Sequence, residues 1–169
     1  MGPAHTAAAR SSPVSLRIPA LGLAATVGPL GLNPDGTVQV PENPDHAGWY
    51  RFGPSPGQSG SAVILGHVDS KTGPAVFYRL RSLRAGNAIV VRLADGVVAH
   101  FRVDRVISYP NAKFPASKVY SRNGPPTLQL VTCGGPYDHR ARTYTANVVV
   151  YTSLISLTPA RERHASVTE

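Results

Sequence analysis

Only one of the 169 residues is a cysteine, Cys133. The chain can therefore close no internal disulfide and build no multi-cysteine zinc cage. Charged residues are also sparse at 15%, and aromatic residues make up 7%. Low charge here does not mean disorder, because 42% of the residues are hydrophobic, enough to fill the core of one domain of ordinary size. Long apolar runs are missing: no stretch approaches the roughly 18–20 consecutive residues that a membrane-spanning helix needs. Acidic residues are few, with 9 Asp and Glu against 17 Lys and Arg, a net charge of +8. Such an excess raises the possibility of nucleic-acid binding. Only Lys71, Lys113 and Lys118 are lysines, however, the arginines are dispersed, and no basic stripe or aromatic stacking platform accompanies them. Nucleic acid is not expected as a partner, and the charge suits a protein working beside an anionic envelope. Asp69, Asp95 and Asp104 are scattered without the spacing of an oxygen-ligand loop, so no metal and no cofactor are expected.

Gly and Pro are plentiful, 16 of each, and interrupt the chain too often for long helices. Between them lie short β-branched runs: Val14–Ile18, Thr37–Val40, Ser61–Leu65, Ala88–Leu93, Val97–Val106, Thr127–Thr132 and Asn147–Thr152. The runs on either side of Ala94-Asp95-Gly96 predict a hairpin. One short helix is predicted over Ala75–Leu83, where Phe77, Leu80 and Leu83 recur at helical spacing. The expected fold is all-β, a small closed barrel with one or two short helices in its connections. Residues 1–13 read as a flexible N-terminal segment, 14–157 as the folded domain and 158–169 as a flexible tail. No signal peptide is legible, so a chain whose targeting segment was removed or never included is expected. Met1-Gly2 with Thr6 matches a myristoylation pattern formally, but no basic second anchor follows.

The chemistry converges on Cys133. It follows the apolar run Thr127–Thr132 and precedes Gly134-Gly135-Pro136, which puts the sulfur at a strand end beside residues that let another chain approach. His67 holds the matching place after Ala62-Val63-Ile64-Leu65-Gly66. A thiol and an imidazole, each at a strand end beside glycine, suit a nucleophile and a proton donor for the leaving group. His5 and His164 fall in the tails, His46 in a Pro-rich loop and His100 within a strand, while His139 stays as a lesser alternative. Attack on a carbonyl creates an oxyanion that needs a fixed donor, and Arg140 and Arg142 lie in the loop after Cys133.

The segments Leu130-Val131-Thr132-Cys133 and Gly66-His67-Val68-Asp69 resemble the cysteine and histidine motifs of the sortases, cysteine transpeptidases of Gram-positive cell surfaces. The likeness spans Val14 to Leu154 and is strongest to the class F sortases of actinobacteria. Comparable segments there include Arg17-Ile18-Pro19-Ala20-Leu21-Gly22, Ala47-Gly48-Trp49-Tyr50, Ala75-Val76-Phe77-Tyr78 and Thr132-Cys133-Gly134-Gly135. Two positions depart from the general pattern. Gln129 stands where a threonine precedes the cysteine by four residues, and Asn147 stands where an arginine opens the following strand. The resemblance implies an eight-stranded sortase-type barrel with Cys133 as nucleophile, His67 as acid and Arg142 as oxyanion donor, Arg140 being the other candidate. It implies cleavage of a Leu-Pro-X-Thr-Gly-like sorting signal through a thioacyl-enzyme, followed by transfer to an amine of a peptidoglycan precursor or a pilin lysine. It also implies a monomer at the extracellular face of the membrane, with its N-terminal anchor absent from this chain. A noncatalytic β-barrel binding module of the cell envelope is the alternative.

Overall fold

Apolar side chains at alternate positions need a closed surface to face, and the strands of this chain provide it by curling into a barrel. The structure, a computed structural model, describes residues 8–160. Its strands are β1 (Pro13–Ile18), β2 (Leu23–Leu30), β3 (Ala47–Tyr50), β4 (Ser61–Leu65), β5 (Asp69–Ser70), β6 (Gly73–Pro74), β7 (Ala88–Leu93), β8 (Val98–Pro110), β9 (Thr127–Asp138) and β10 (Thr143–Thr158). Eight of them close the barrel in the order β1-β2-β3-β4-β9-β10-β8-β7, with β7 returning to β1, while β5 and β6 form a separate small ribbon. Most neighbours are antiparallel, but β2 runs parallel to β3 and β4 parallel to β9. Among the described residues the one α-helical turn, α1, is Ala116–Val119.

The barrel interior is filled by Leu16, Ile18, Ile64, Ile89, Val91 and Phe101 among others, all essentially inaccessible to solvent. A second apolar cluster lies on the outer face of β4, β9 and β10, where Val63, Val131, Val149 and Tyr151 pack beneath Val119 of α1. Strands β4 and β9 are thus covered on both faces, as parallel strands usually are. The β7–β8 hairpin turns where expected: Gly96 takes a φ of 94°, and the Asp95 carboxylate accepts the Val97 N–H at 3.0 Å.

Three local expectations are revised. Ala75–Leu83 forms no α-helix but a series of turns with one 3₁₀ turn at Leu80–Ser82. The N–H groups of Ala75, Val76 and Phe77 are drawn away to the carbonyls of Val68, Pro44 and His67, while Phe77, Leu80 and Leu83 still bury their side chains. Thr37–Val40 is not a strand and contributes only the isolated bridge Leu32–Val38. Its polar groups are met locally, with Thr37 bonded to Asp35 and Asn33, and Val40 is left exposed. Strand β2, Leu-Ala-Ala-Thr-Val-Gly-Pro-Leu, was not expected from its composition and exists because the barrel needs a partner for both β1 and β3.

Residues 8–12 follow the body closely. Ala8 N–H donates to Gly57, Arg10 donates to the carbonyls of Gly53 and Arg51 and stacks 5.2 Å from the Trp49 ring, and the Ser12 carbonyl accepts from Ala94. The expectations for residues 1–7 and 161–169 lie outside the described residues.

Strand β10 shifts register at Tyr151/Thr152, and the buried Thr152 hydroxyl donates to Leu128 O at 2.8 Å and accepts Leu128 N–H at 3.3 Å. Thr152→Val keeps the shape but strips both partners, so it should lower unfolding stability by about 1–3 kcal/mol in denaturant titration.

Candidate active site

The site begins with the parallel pairing of β4 and β9. Leu65 is in register with Val131, and Gly66 N–H donates to the Val131 carbonyl at 3.2 Å. One step further the buried Thr132 hydroxyl donates to the Gly66 carbonyl at 2.7 Å. The residue preceding Cys133 is thereby tied to the residue preceding His67. Gly66 is glycine for want of room: a Cβ there would come within 2.7 Å of Phe77 and Val76 side chains. Gly134 is equally constrained, since a Cβ would lie 2.7 Å from Val148 Cγ2.

Side chains alternate along β9. Leu128, Leu130 and Thr132 face inward, whereas Val131 joins the outer cluster, and Cys133 is the next residue on that outer side. Its register partner is Asn147, whose side-chain amide donates to Asn111 Oδ1 at 3.0 Å, and Asn111 in turn donates to the Tyr144 carbonyl at 2.8 Å. The thiol is solvent-exposed. It forms part of the wall of a cavity of about 430 Å³, with Asp69, Arg79, Arg81, Tyr144 and Val148. Partial burial against that wall, reinforced by the Asp69 carboxylate, pushes the thiol up from its ordinary range. Asp69 accepts a hydrogen bond from the Tyr144 hydroxyl, and that bond, with the carboxylate's charge, pushes the phenol up to about 12.

His67 is half-buried, and its Nε2 donates to the Pro41 carbonyl at 2.6 Å. Nε2 therefore carries a proton and Nδ1 is the ring nitrogen left for exchange. A larger cavity, about 570 Å³, lies between β2, β3 and the 33–46 connection, and Pro41, which accepts from His67, is one of its lining residues.

Cys133 and His67 thus emerge from adjacent parallel strands at the same end of the barrel. Arg140 and Arg142 are placed differently, at the tip of the β9–β10 hairpin, both exposed. The Asp138 carboxylate caps that tip by accepting the N–H groups of Arg140 and Ala141, and Arg142 takes a left-handed φ of 57°. The ladder runs from Cys133–Asn147 to Asp138–Thr143, about 3.3 Å per residue, before the tip is reached. His139 belongs to the same tip, its ring 4.9 Å from that of Tyr137. Sequence reasoning missed Tyr144 and the cavity arginines Arg79 and Arg81. Asp69 was legible only as the end of the histidine motif. Among the described residues no group of His, Cys, Asp and Glu is placed to hold a metal ion.

The sortase domain family matches residues 16–155. No curated protein sequence matches the chain. Among solved structures, sortase A of Listeria monocytogenes is 15% identical with a TM-score of 0.67, covering 91% of this chain and 93% of that one. Sortase C of Streptococcus pneumoniae, described there with pilin substrate specificity, is 19% identical with a TM-score of 0.62, covering 88% of this chain and 69% of that one. Sortase C-3 of the same organism is 14% identical with a TM-score of 0.64, over 94% and 70%. The chain belongs to the sortase family, the cysteine transpeptidases of the cell surface.

Two measurements check this site. Thr132→Val should lower stability by about 1–3 kcal/mol, because the Gly66 carbonyl loses its buried donor. Iodoacetamide should modify Cys133 with a rate that climbs with pH to an inflection above that of a free thiol, because only the thiolate reacts and the raised value keeps the sulfur protonated. In Asp69→Asn the negative neighbour is gone, the thiolate costs less, and the inflection should move to lower pH.

Proposed function

We propose that this sortase cleaves a sorting signal similar to Leu-Pro-X-Thr-Gly and joins the released acyl group to an amine, using Cys133 as nucleophile, His67 as proton donor and Arg142 as oxyanion donor. The observation that carries the reading is the placement of a solvent-open thiol and a half-buried imidazole at the ends of two adjacent parallel strands. The peptide approaches Cys133 past the edge of the outer apolar cluster, where Leu65, Phe114 and Tyr120 remain partly exposed. Nδ1 of His67 takes the thiol proton as the Cys133 sulfur attacks the carbonyl after threonine and hands it to the departing nitrogen as the C–N bond breaks, leaving a thioester. An amine then attacks the thioester and regenerates the thiol. Arg142 reaches the oxyanion when the hairpin tip folds over the groove; its charge does not titrate near neutrality. The sequence motifs favour class F, and the +8 charge fits a catalyst held at the extracellular face beside an anionic wall. The chain acts as a monomer, with no metal or cofactor.

Incubation with a sorting-signal peptide should yield a Cys133 thioester adduct in mass spectra, and Cys133→Ala should abolish both adduct and cleavage while the protein stays folded. A chain that forms no adduct and whose thiol resists alkylation would be the noncatalytic binding module instead. Arg142→Gly separates chemistry from backbone, since glycine adopts the left-handed φ of 57° without penalty. Turnover in that variant should fall by about 100-fold or more if the guanidinium supports the oxyanion. An equivalent fall in Arg140→Ala with Arg142→Gly unaffected would move the role by two residues.

A further inference from the structure

Far apart in the sequence, Arg10, Arg51 and Arg122 meet in the fold at the turn Arg51-Phe52-Gly53, which follows β3. Arg10 donates to the carbonyls of Arg51 and Gly53, and Arg122 donates to the Phe52 carbonyl between them. The Arg51 guanidinium lies 4.2 Å from the centre of the Phe52 ring. All three arginines are exposed, and among the described residues none is hydrogen-bonded to a carboxylate. Arg10 and Arg122 also line one cleft of about 350 Å³, together with Gly53, Pro54 and Gln58. The turn carbonyls occupy only part of each five-donor fork, and like charges gathered without a counter-charge repel one another. An anion in the cleft takes up the remaining donors and relieves that repulsion. The turn itself is held firmly: Trp49 Nε1 donates to the Pro54 carbonyl at 3.0 Å, and the buried Ser55 hydroxyl accepts Ser11 N–H at 3.1 Å, fastening the segment that carries Arg10. Phe52, by contrast, is 40% exposed and touches Tyr50 edge-on at 5.9 Å.

We propose that this end of the barrel docks on an anionic phospholipid surface, a headgroup phosphate seated between Arg10 and Arg122, Arg51 against a neighbouring headgroup, and Phe52 at the boundary of the acyl chains. A free phosphate ester would satisfy the guanidinium groups but give the exposed ring nothing to touch. A bilayer surface supplies both, phosphates for the cations and an apolar boundary for the ring. Planar guanidinium forks also match phosphate oxygens in pairs. The site lies at the end of the barrel away from the thiol. Ser61 opens β4 with its N–H on the Ser121 carbonyl at 2.7 Å, beside Arg122, and Thr127 opens β9 opposite Ser61. From there the two strands run in parallel to Leu65 and Val131, just short of His67 and Cys133. Docking through the arginine turn therefore directs the thiol and the imidazole away from the bilayer.

Cosedimentation of the full chain with lipid vesicles tests the proposal without reference to activity. The chain should bind vesicles of equimolar phosphatidylglycerol and phosphatidylcholine and remain in solution with phosphatidylcholine alone. In an Arg51→Gln, Arg122→Gln double variant the lipid concentration for half-binding should rise about 25-fold, roughly fivefold for each charge at the surface. Arg51→Gln alone, which leaves the contacts of Arg10 and Arg122 to the turn in place, should raise it about fivefold. An Arg17→Gln, Arg102→Gln double variant removes the same charge from exposed positions on β1 and β8, and should shift it by less than about threefold because distant charges are screened. Phe52→Ser should weaken binding about threefold or more through the lost apolar contact. No binding to the anionic vesicles, or equal losses in the two double variants, overturns the proposal, the latter because net charge alone would then account for the binding. Unchanged lipid binding in Phe52→Ser, with displacement of the chain from vesicles by glycerol 3-phosphate at fixed ionic strength, makes the cleft a site for soluble phosphate esters and removes the membrane as its partner.

Discussion

The juxtaposition of Cys133 and His67 depends on one side-chain contact, the hydrogen bond from the buried Thr132 hydroxyl to the Gly66 carbonyl. Parallel pairing of β4 and β9 already sets Leu65 against Val131, but a ladder alone leaves the residues beyond its last pair free to diverge. The Gly66 N–H bond to Val131 and the Thr132 bond to Gly66 extend the pairing by one more residue on each strand. Cys133 and His67 are the next residues on either side. Their proximity follows from backbone register carried past the end of the sheet, and it places no demand on either reactive side chain. The same contact explains the crowding at Gly66: the chain must pass close under Phe77 and Val76 to bring its carbonyl to Thr132.

Electrostatics at the sulfur run against simple activation. Burial on one side and the Asp69 carboxylate both favour the neutral thiol, and the carboxylate is fixed in place by Tyr144. His67 meanwhile commits Nε2 to Pro41. The free protein therefore holds a protonated sulfur and an imidazole anchored at one nitrogen, a state that protects an exposed lone thiol from adventitious oxidation or alkylation. Displacing Asp69 from the sulfur would lower the cost of the thiolate, whereas burial beneath a bound acyl donor would add to it.

Much of this was legible in the sequence because it depended on local pattern. A small closed barrel followed from β-branched runs cut by Gly and Pro, its eight strands from the sortase resemblance, and the β7–β8 hairpin from Ala94-Asp95-Gly96. Cys133 and His67 were marked by glycines at strand ends, and close packing accounts for both Gly66 and Gly134. What escaped depended on contacts distant in sequence. The expected helix at Ala75–Leu83 was undone by carbonyls of Pro44, His67 and Val68, and β2 owes its form to barrel closure rather than to β propensity. Tyr144 looked like one more residue of a polar loop, because nothing in its neighbours reports that it meets Asp69, 75 positions away.

The β9–β10 hairpin is the part of the fold in which stability and function diverge. Inside the barrel its strands are held by Leu128, Leu130 and Val150, all fully buried. Beyond Cys133 the apolar contacts give way to polar ones: Asn147 to Asn111, Asn111 to the Tyr144 carbonyl, and Tyr144 to Asp69. Solvent-accessible hydrogen bonds each contribute little net free energy, roughly 0.5–1.5 kcal/mol, because water replaces them when they open. A hairpin fastened in this way can be displaced without disturbing the core, so movement at the tip is energetically separate from barrel stability. The Tyr144–Asp69 bond joins the hairpin to the connection after β4 at the wall of the cavity. Opening it would free the Asp69 carboxylate and release the hairpin together, which couples the position of the tip arginines to the charge that faces the sulfur.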